Sequence, residues 1–200
     1  MKKIVVIGGT GMVGSGIVTQ LRADGHEVIS VGRSGGDRQV DMTDAKALSE
    51  FFNEVGPIDA IISAAGDGTF GPFDAEDDGA YNMALEGKIR GQVNLARIGH
   101  RHLTPGGALT LTSGAVTRHP MAQTAAIALG AGAIEAFVAT VALELEEGKR
   151  INAVSLPMVK ESARAFGLDD SGCPSVAQVA LHYRDLALGE ITGQATVPQT

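Results

Sequence analysis

The stretch Ile4-Val5-Val6-Ile7, followed directly by Gly8-Gly9-Thr10-Gly11-Met12-Val13-Gly14, decides the fold of this chain. A short apolar run ended by glycine is typical of a strand buried on both faces. Residues 12–23 then carry apolar side chains at helical spacing and stop before Gly25. Between strand and helix, residues 9–14 have the spacing G-x-G-x-x-G, the context in which this motif binds a dinucleotide pyrophosphate. A tight turn without a ligand is the alternative interpretation, and the strand–helix context favours the dinucleotide.

Strand and helix patterns alternate through the rest of the chain, and this alternation predicts the fold class. It predicts an α/β protein, one Rossmann-type domain over residues 1–200, with a doubly wound parallel sheet and helices on both faces. Residues 66–79, rich in Gly, Asp and Pro, predict a loop. Further strands are predicted at 27–31, 39–41, 58–64, 108–112, 151–155 and 194–197, and helices at 43–52 (with Thr43 as N-cap), 81–103, 122–147 and 176–188.

Composition and charge exclude several classes of function. The net charge of −7 argues against a nucleic-acid partner, since no basic face could neutralise many phosphates. No apolar run reaches the ~18 residues that span a bilayer, so no membrane segment is expected. Glycines follow the first apolar run with no small-residue cleavage site, which favours a buried strand over a signal peptide. Cys173 is the only cysteine, which excludes an internal disulfide and a cysteine-cluster metal site. By elimination we expect a cytoplasmic protein without a metal.

The end of the second predicted strand indicates which dinucleotide is bound. Sites for NAD usually place a carboxylate there, against the ribose hydroxyls. Here the strand ends Val31-Gly32-Arg33-Ser34, and the nearest acid, Asp37, falls in the predicted loop. An arginine and a serine suit a 2′-phosphate, through a charge-assisted contact and a hydroxyl donor. A solvent-facing Arg33 without a ligand is the alternative. The sequence therefore predicts NADP(H) as the cofactor.

Over nearly its whole length the chain resembles the short-chain dehydrogenase/reductase family. Residues 8–14 resemble the glycine motif of that family, and 109–113, 133–145 and 150–155 are similar to its fifth strand, fifth helix and sixth strand. In Val40-Asp41-Met42-Thr43-Asp44, the resemblance implies that Asp41 meets the adenine amino group, with Met42 beside it. Ser63-Ala64-Ala65-Gly66 resembles the N-A-G motif, with Ser63 where an Asn is usual, which implies cofactor contacts from Ala64, Ala65 and Gly66. Ser113 matches the catalytic serine.

The catalytic part of the family pattern is largely absent. The reaction of the family uses a tyrosine as proton donor and a lysine four residues later that lowers the tyrosine pKa. Ile127 and Ala131 stand at these two positions, and neither side chain can move a proton. In addition, Leu156-Pro157 replaces the Pro-Gly that packs on the nicotinamide. The chain is thus identified as a divergent member that lacks the Tyr/Lys pair.

Two other residues are candidates for the missing chemistry. Residues 88–95 resemble a helix of polyketide-synthase ketoreductase domains that carries the catalytic lysine, which implies that Lys88 points at the active site. A lysine on a solvated helix face is the alternative. His119 follows Ser113 in a loop that borders the substrate pocket in this family, and a histidine with a pKa near ~6.5 can donate a proton at neutral pH. A loop histidine without a role is the alternative. Of the two tyrosines, Tyr81 begins the helix of Lys88, and Tyr183 is expected in the core.

Two functions remain open from the sequence. The first is an NADP(H)-dependent oxidoreductase that acts on a small carbonyl or alcohol compound, with Ser113, Lys88 and His119 as candidate catalytic residues. The second is a catalytically degenerate NADP(H)-binding sensor or partner subunit. We also expect a homodimer or homotetramer, because the family pairs its fourth and fifth helices across a two-fold axis. The small residues that would allow close helix approach are Ala125, Ala126, Gly130, Ala131, Gly132 and Ala133.

Overall fold

The computed structural model describes residues 1–66 and 68–199, and within them all strands form one parallel sheet. The strand order is β3-β2-β1-β4-β5-β6-β7, so the sheet grows outward from β1 in both directions. This order confirms the predicted Rossmann-type fold. The strands are β1 (Lys3–Ile7), β2 (Glu27–Gly32), β3 (Arg38–Gln39), β4 (Ile58–Ser63), β5 (Leu103–Thr112), β6 (Arg150–Val154) and β7 (Ala195–Thr196).

Helices cover both faces of the sheet, and the alternation of side chains along β1 shows why. Val5 and Ile7 belong to one apolar core, whereas Ile4 and Val6 belong to the other. The first core is shared with α2 (Ala45–Val55), α4 (Gly91–Gly99) and α5 (Ala125–Val141), and the second with α1 (Met12–Ala23) and α7 (Val176–Leu188). Because both faces are buried, a strand with no polar alternation is stable here.

The predicted helix over 81–103 is not a single α-helix. A short helix, α3 (Gly79–Asn82), leads into a π-helical segment (Met83–Arg90), and only then does α4 begin. A 3₁₀ turn (His100–His102) follows α4. Bulges of the π type are rare and often lie at functional sites. The π-helical segment carries Lys88.

Several predicted boundaries were wrong for local reasons. Asp44, and not Thr43, caps α2, because its carboxylate accepts the backbone N–H groups of Lys46 and Ala47. Strand β5 begins at Leu103 through an irregular pairing with β4, which places residues 105–107 within the strand. Helix α2 runs on to Val55, β3 lies at Arg38–Gln39, and β7 is shorter than predicted. Strands β2, β4 and β6 differ from their predicted bounds by one residue, and α6 (Lys160–Ala165) was not predicted.

Helix α5 is shorter than predicted at both ends and presents only part of its small residues outward. It spans Ala125–Val141 rather than 122–147. Ala126, Gly130 and Ala131 are buried against the rest of the chain, so the prediction that they face a second subunit was wrong. Ala125 is exposed and Gly132 and Ala133 are half-buried. No helix among the described residues has the length and apolar character needed to cross a membrane.

Candidate functional site

The glycine loop between β1 and α1 is held in a single backbone conformation. Gly8 has φ +80°, and the N–H groups of Gly8 and Gly9 both donate to the carbonyl of Val31, at 2.8 and 3.0 Å. A Cβ on Gly14 would lie 2.0 Å from the carbonyl oxygen of Gly8, so only glycine lets α1 start this close to the loop. Helix α1 has Gly11 as N-cap and no side-chain cap. Its first N–H groups therefore point toward a space that suits a phosphate.

A cavity of about 630 Å³ lies between this loop, the ends of β2 and β4, and the π-helical segment. Ten of the predicted cofactor residues line it: Gly8, Thr10, Gly11, Arg33, Ser34, Asp41, Met42, Ala64, Ala65 and Gly66. The other four, Gly9, Met12, Val13 and Gly14, lie in the loop and the first turn of α1 without lining the cavity. The sequence interpretation missed Thr43 as a wall residue, together with Asn82, Met83, Glu86 and Gly87 of the opposite helices.

Charged side chains sit at the β2 end of this cavity. Hydrogen bonds from the backbone and side chain of Thr43, each 2.8 Å long, lower the pKa of Asp41 against a smaller opposing effect of burial. The positive charge of Arg33 lowers that pKa further. Asp37 is turned elsewhere: its carboxylate accepts the N–H of Ser30 at 2.8 Å and pairs with Arg22 at 2.7 Å. Asp37 therefore braces the turn after β2 and does not line the cavity.

The structure brings Lys88 and Ser113 together at the carboxyl ends of β4 and β5. Lys88 is 6% exposed, and its ammonium group donates to the carbonyl oxygen of Ser113 at 3.2 Å. Its alkyl chain lies against two glycines. A Cβ on Gly66 would be 3.1 Å from Cγ of Lys88, and a Cβ on Gly130 would be 3.1 Å from Cδ. Lys88 is thus buried beside the cofactor cavity and not on a solvated helix face.

The hydroxyl of Ser113 takes part in a cluster centred on Glu135. It donates to Oε1 of Glu135 at 2.7 Å. Burial raises the pKa of Glu135, but hydrogen bonds from Ser113, Ser155, Thr117 and Arg118 outweigh it, so the pKa lies below its ordinary value. Oε1 accepts the last three at 2.9, 3.0 and 3.0 Å. The sequence interpretation assigned Glu135 no role. It is the only charged residue of α5, and a single carboxylate in an otherwise uncharged helix is a sequence feature that could have identified it.

The remaining candidates lie apart from this pair. His119 is exposed after the 3₁₀ turn (Ala115–Thr117), and within the described chain no hydrogen bond joins its ring to Lys88 or Ser113. Tyr81 donates its hydroxyl to the carbonyl of Phe73 at 2.8 Å. Tyr183 is fully buried, as expected for a core residue, and burial raises its pKa. Ala131 is fully buried. Among the described residues no three His, Cys, Asp or Glu side chains form a group that could hold a metal.

Comparison with known proteins identifies the family to which this chain belongs. The family model "NAD dependent epimerase/dehydratase family" matches residues 4–117, more than half of the chain. A solved small-chain dehydrogenase in complex with NADPH is 28% identical, with a TM-score of 0.88, over 100% of this chain and 97% of that one. The protein lin1944 of Listeria innocua is 33% identical, with a TM-score of 0.91, over 98% of this chain and 99% of that one. The chain belongs to the short-chain dehydrogenase/reductase family.

Curated relatives of this short-chain dehydrogenase/reductase are longer than it is. Human L-xylulose reductase is 27% identical over 80% of this chain and 73% of the relative. Versicolorin reductase 1 of Aspergillus parasiticus is 29% identical over 72% of this chain, but the chain covers only 55% of that enzyme. Membership confirms the resemblance found in the sequence, and it makes the cavity beside residues 8–14 a site for a nicotinamide cofactor.

Proposed function

We propose that this protein is an NADP(H)-dependent oxidoreductase that acts on a small carbonyl or alcohol compound. The observation that carries the proposal is the β2 end of the cofactor cavity, where Arg33 and Ser34 line the wall. Asp37, the acid nearest to them in sequence, pairs with Arg22 and Ser30 instead. A 2′-phosphate would meet a guanidinium and a hydroxyl there, and both are good phosphate donors. The names of the relatives, which are reductases and dehydrogenases, support the same reaction class.

The glycine cradle fits the cofactor, because a Cβ on Gly8 would lie 2.8 Å from the backbone of Ala64 and one on Gly14 would lie 2.0 Å from the carbonyl oxygen of Gly8. Only glycines therefore let the loop, the end of β4 and the start of α1 meet this closely at the cavity. We assign the pyrophosphate to the loop 8–14, the 2′-phosphate to Arg33 and Ser34, and the adenine to Asp41 and Met42. Ala64, Ala65 and Gly66 would hold the central part of the cofactor. When bound, the cofactor supplies or accepts a hydride at its nicotinamide ring.

The hydrogen-bond pattern at Ser113 supports different roles for two of the candidate catalytic residues, Ser113 and Lys88. While Glu135 is ionised, the hydroxyl of Ser113 donates its hydrogen bond to that carboxylate and offers a substrate only the lone pairs of Oγ. A carbonyl oxygen needs a donor, and the ammonium of Lys88 at the carbonyl of Ser113 is one. We therefore assign proton donation to Lys88 and positioning of the substrate to Ser113. Exposed His119 is the alternative donor.

A titration of both cofactors, followed by a turnover assay, tests the proposal. We expect wild-type protein to bind NADPH more tightly than NADH. Arg33→Ala should weaken NADPH binding by about 1.5–3 kcal/mol, the value of a hydrogen bond to a charged group, and leave NADH binding unchanged. Arg38→Ala is the matched control, because Arg38 is exposed on β3 and does not line the cavity. Equal affinity of wild-type protein for both cofactors would contradict the proposal.

The turnover assay also separates the proposed enzyme from a second candidate function. Loss of general acid catalysis typically costs about 10²–10⁴-fold in rate, so Lys88→Met should reduce kcat by that amount while NADPH still binds. His119→Ala should leave kcat unchanged, and the reverse pattern would make His119 the donor. The second candidate, a catalytically degenerate NADP(H)-binding sensor or partner subunit, is favoured by Ile127 and by Ala131, whose site is buried. It predicts NADPH binding without turnover of any ketone, quinone or alcohol.

A further inference from the structure

Exposed apolar side chains collect on the loops that follow β4, β5 and β6. The chain has six phenylalanines; Phe51 and Phe52 are in the core, and Phe137 packs against it. The other three are exposed on these loops: Phe70 (48%), Phe73 (74%) and Phe166 (68%). Met121 (57%) and Leu168 (55%) lie on the same loops. An exposed apolar patch on a soluble domain usually marks a binding surface.

The three loops are neighbours at one edge of the sheet, and the first of them adjoins the cofactor cavity. Strands β4, β5 and β6 are adjacent and parallel, so their carboxyl ends and following loops share one edge of the sheet. The N–H of Gly71 donates to the carbonyl of Gln123 at 2.9 Å, which joins the first loop to the second. The N–H of Ala115 donates to the carbonyl of Leu156 at 3.0 Å, which joins the second to the third. The first loop also continues from Gly66, a wall residue of the cavity.

The charges of these loops disfavour an anionic ligand. Residues 68–78 contain four acids, Asp74, Glu76, Asp77 and Asp78, and no lysine or arginine. On the second loop, Arg118 is engaged by Glu135, Ser155 and the carbonyl of Ala195. On the third, Arg164 pairs with Asp170 at 2.5 Å. A phosphate or thioester-linked nucleotide carrier would meet like charge at the first loop and arginines that already have partners at the other two. The one lysine in these three segments, Lys160, starts α6 and lies six residues before Phe166.

We propose that the substrate of this site is an uncharged carbonyl compound with an apolar body, an alkyl chain or aromatic ring that binds over Phe70, Phe73 and Phe166. The apolar body gains the free energy of burial against the phenyl rings, whereas a sugar would desolvate its hydroxyls against those rings and find partners only at the carboxylates of the first loop. The carbonyl in this assignment rests on the proposed function. The apolar recognition rests on the loops alone and does not require turnover.

Binding of a homologous series of ketones tests the inference. We would titrate the NADP⁺-loaded protein with 2-butanone, 2-hexanone and 2-octanone, and with a ketopentose, by calorimetry. We expect affinity to rise about two- to fourfold for each added methylene and the ketopentose to bind more weakly than 2-octanone. Phe73→Ser and Phe166→Ser should flatten this dependence. Leu143→Ser is the matched control, because Leu143 is 86% exposed beyond the end of α5 and lies on none of these loops.

Three results would overturn the inference. One is an affinity independent of chain length, and another is a chain-length dependence that survives in both phenylalanine variants. The third is a fall in oligomeric mass, with unchanged ketone affinity, in those variants, since it would mean that a second copy of the chain covers the phenylalanines. Turnover of the same ketones by the NADPH-loaded protein, in which the cofactor can supply the hydride, separates the two proposals. If binding depends on chain length but no ketone is turned over, the apolar site is supported and the oxidoreductase is contradicted. If ketones are turned over but binding does not depend on chain length, the oxidoreductase is supported and the apolar site is contradicted.

Discussion

Thr110 and Thr112 lie on the same face of β5, yet their hydroxyl groups differ in what they contact. The hydroxyl of Thr112 donates to the carbonyl of Ser63 and meets the hydroxyl of Tyr183, both at 2.5 Å. The hydroxyl of Thr110, equally buried, finds no hydrogen-bond partner among the described residues. A buried polar group without a hydrogen-bond partner lowers the stability of the folded protein. Removing one member of a buried hydrogen-bonded pair also lowers it, because the other member then has no partner.

Replacement of each threonine by valine should therefore have opposite effects. Valine has nearly the shape of threonine without the hydroxyl. We expect Thr110→Val to raise the free energy of unfolding by about 1 kcal/mol, and Thr112→Val to lower it by about 1–3 kcal/mol because Tyr183 loses its partner. Urea unfolding measures both, and a shift in midpoint at constant m-value reports stability alone. Two changes of the same sign would contradict the hydrogen-bond assignment.

At the scale of secondary-structure elements, Glu135 joins parts of the chain that are distant in sequence. Its carboxylate binds the residue that follows β5, the 3₁₀ turn after it, and the residue that follows β6. Arg118 extends the cluster to β7 through the carbonyl of Ala195, at 2.8 Å. Helix α5 is thereby fixed over the carboxyl ends of the central strands, where Ser113 lies.

This cluster predicts a stability that depends on pH. The pKa of Glu135 is lowered in the folded protein, so its contribution is complete above the unfolded value of about 4.3 and is lost as the pH falls through the folded value. Glu135→Gln should lower the free energy of unfolding by about 1–3 kcal/mol at pH 7, and the difference from wild type should shrink below about pH 4. Glu54→Gln, at an exposed position near the end of α2, is the control and should change little. A difference that stays constant from pH 7 to pH 3.5 would show that the charge is not responsible.

Elements with local signals were predicted well. Helix α1 has the predicted bounds because a glycine loop precedes it and Gly25, with φ +83°, follows it. Helix α7 also has its predicted bounds, and a capping box at Ser175 and Gln178 starts it. The cavity walls contributed by β1, β2 and β4 were predicted for the same reason: each follows directly from the end of a recognisable strand.

Features that depend on distant partners could not be predicted in this way. The π-helical segment (Met83–Arg90) has no composition that separates it from an α-helix. The start of β5 contains Pro105 and two glycines, and these indicate a turn until Leu103 is seen to pair with Ile58. The bond between Ser113 and Glu135 spans 22 residues and two elements, so no local pattern encodes it. The wall residues on the π-helical segment were missed because they face the cavity only after that segment packs.

At the scale of the whole molecule, the strand order divides the carboxyl edge of the sheet into two halves. The order reverses at β1, with β2 and β3 on one side and β4 to β7 on the other. Ligands of open α/β sheets bind at such a switch point. The cavity with Arg33 and Asp41 extends toward β2, and the apolar loops lie over β4, β5 and β6. This arrangement leaves the outer surfaces of α4 and α5 free of any role in the proposed site.

We propose that these outer surfaces form the contact of a homodimer or homotetramer. A groove of about 770 Å³ runs between the two helices. Its apolar wall residues include Ala96, Phe137, Val141 and Leu145, and charged side chains such as Arg97 line it as well. Leu129 of α5 is 44% exposed, and Ala136 on the same helix is exposed. Small outward residues such as Ala125 and Ala136 let a second helix approach closely, and a two-fold axis is the commonest symmetry of soluble oligomers.

Charge introduced into this face should break the oligomer without unfolding the protein. We expect light scattering at micromolar concentration to give wild-type protein a mass of two or four times 20.5 kDa. Ala136→Arg should shift that mass toward the monomer. The arginine side chain is too large for a close helix contact, and burying its charge there without a partner costs free energy. Ala177→Arg is the matched control, since Ala177 is exposed on α7, on the opposite face of the sheet, and this variant should keep the wild-type mass. A monomeric wild-type mass, or an equal effect of both arginines, would contradict an interface through α4 and α5.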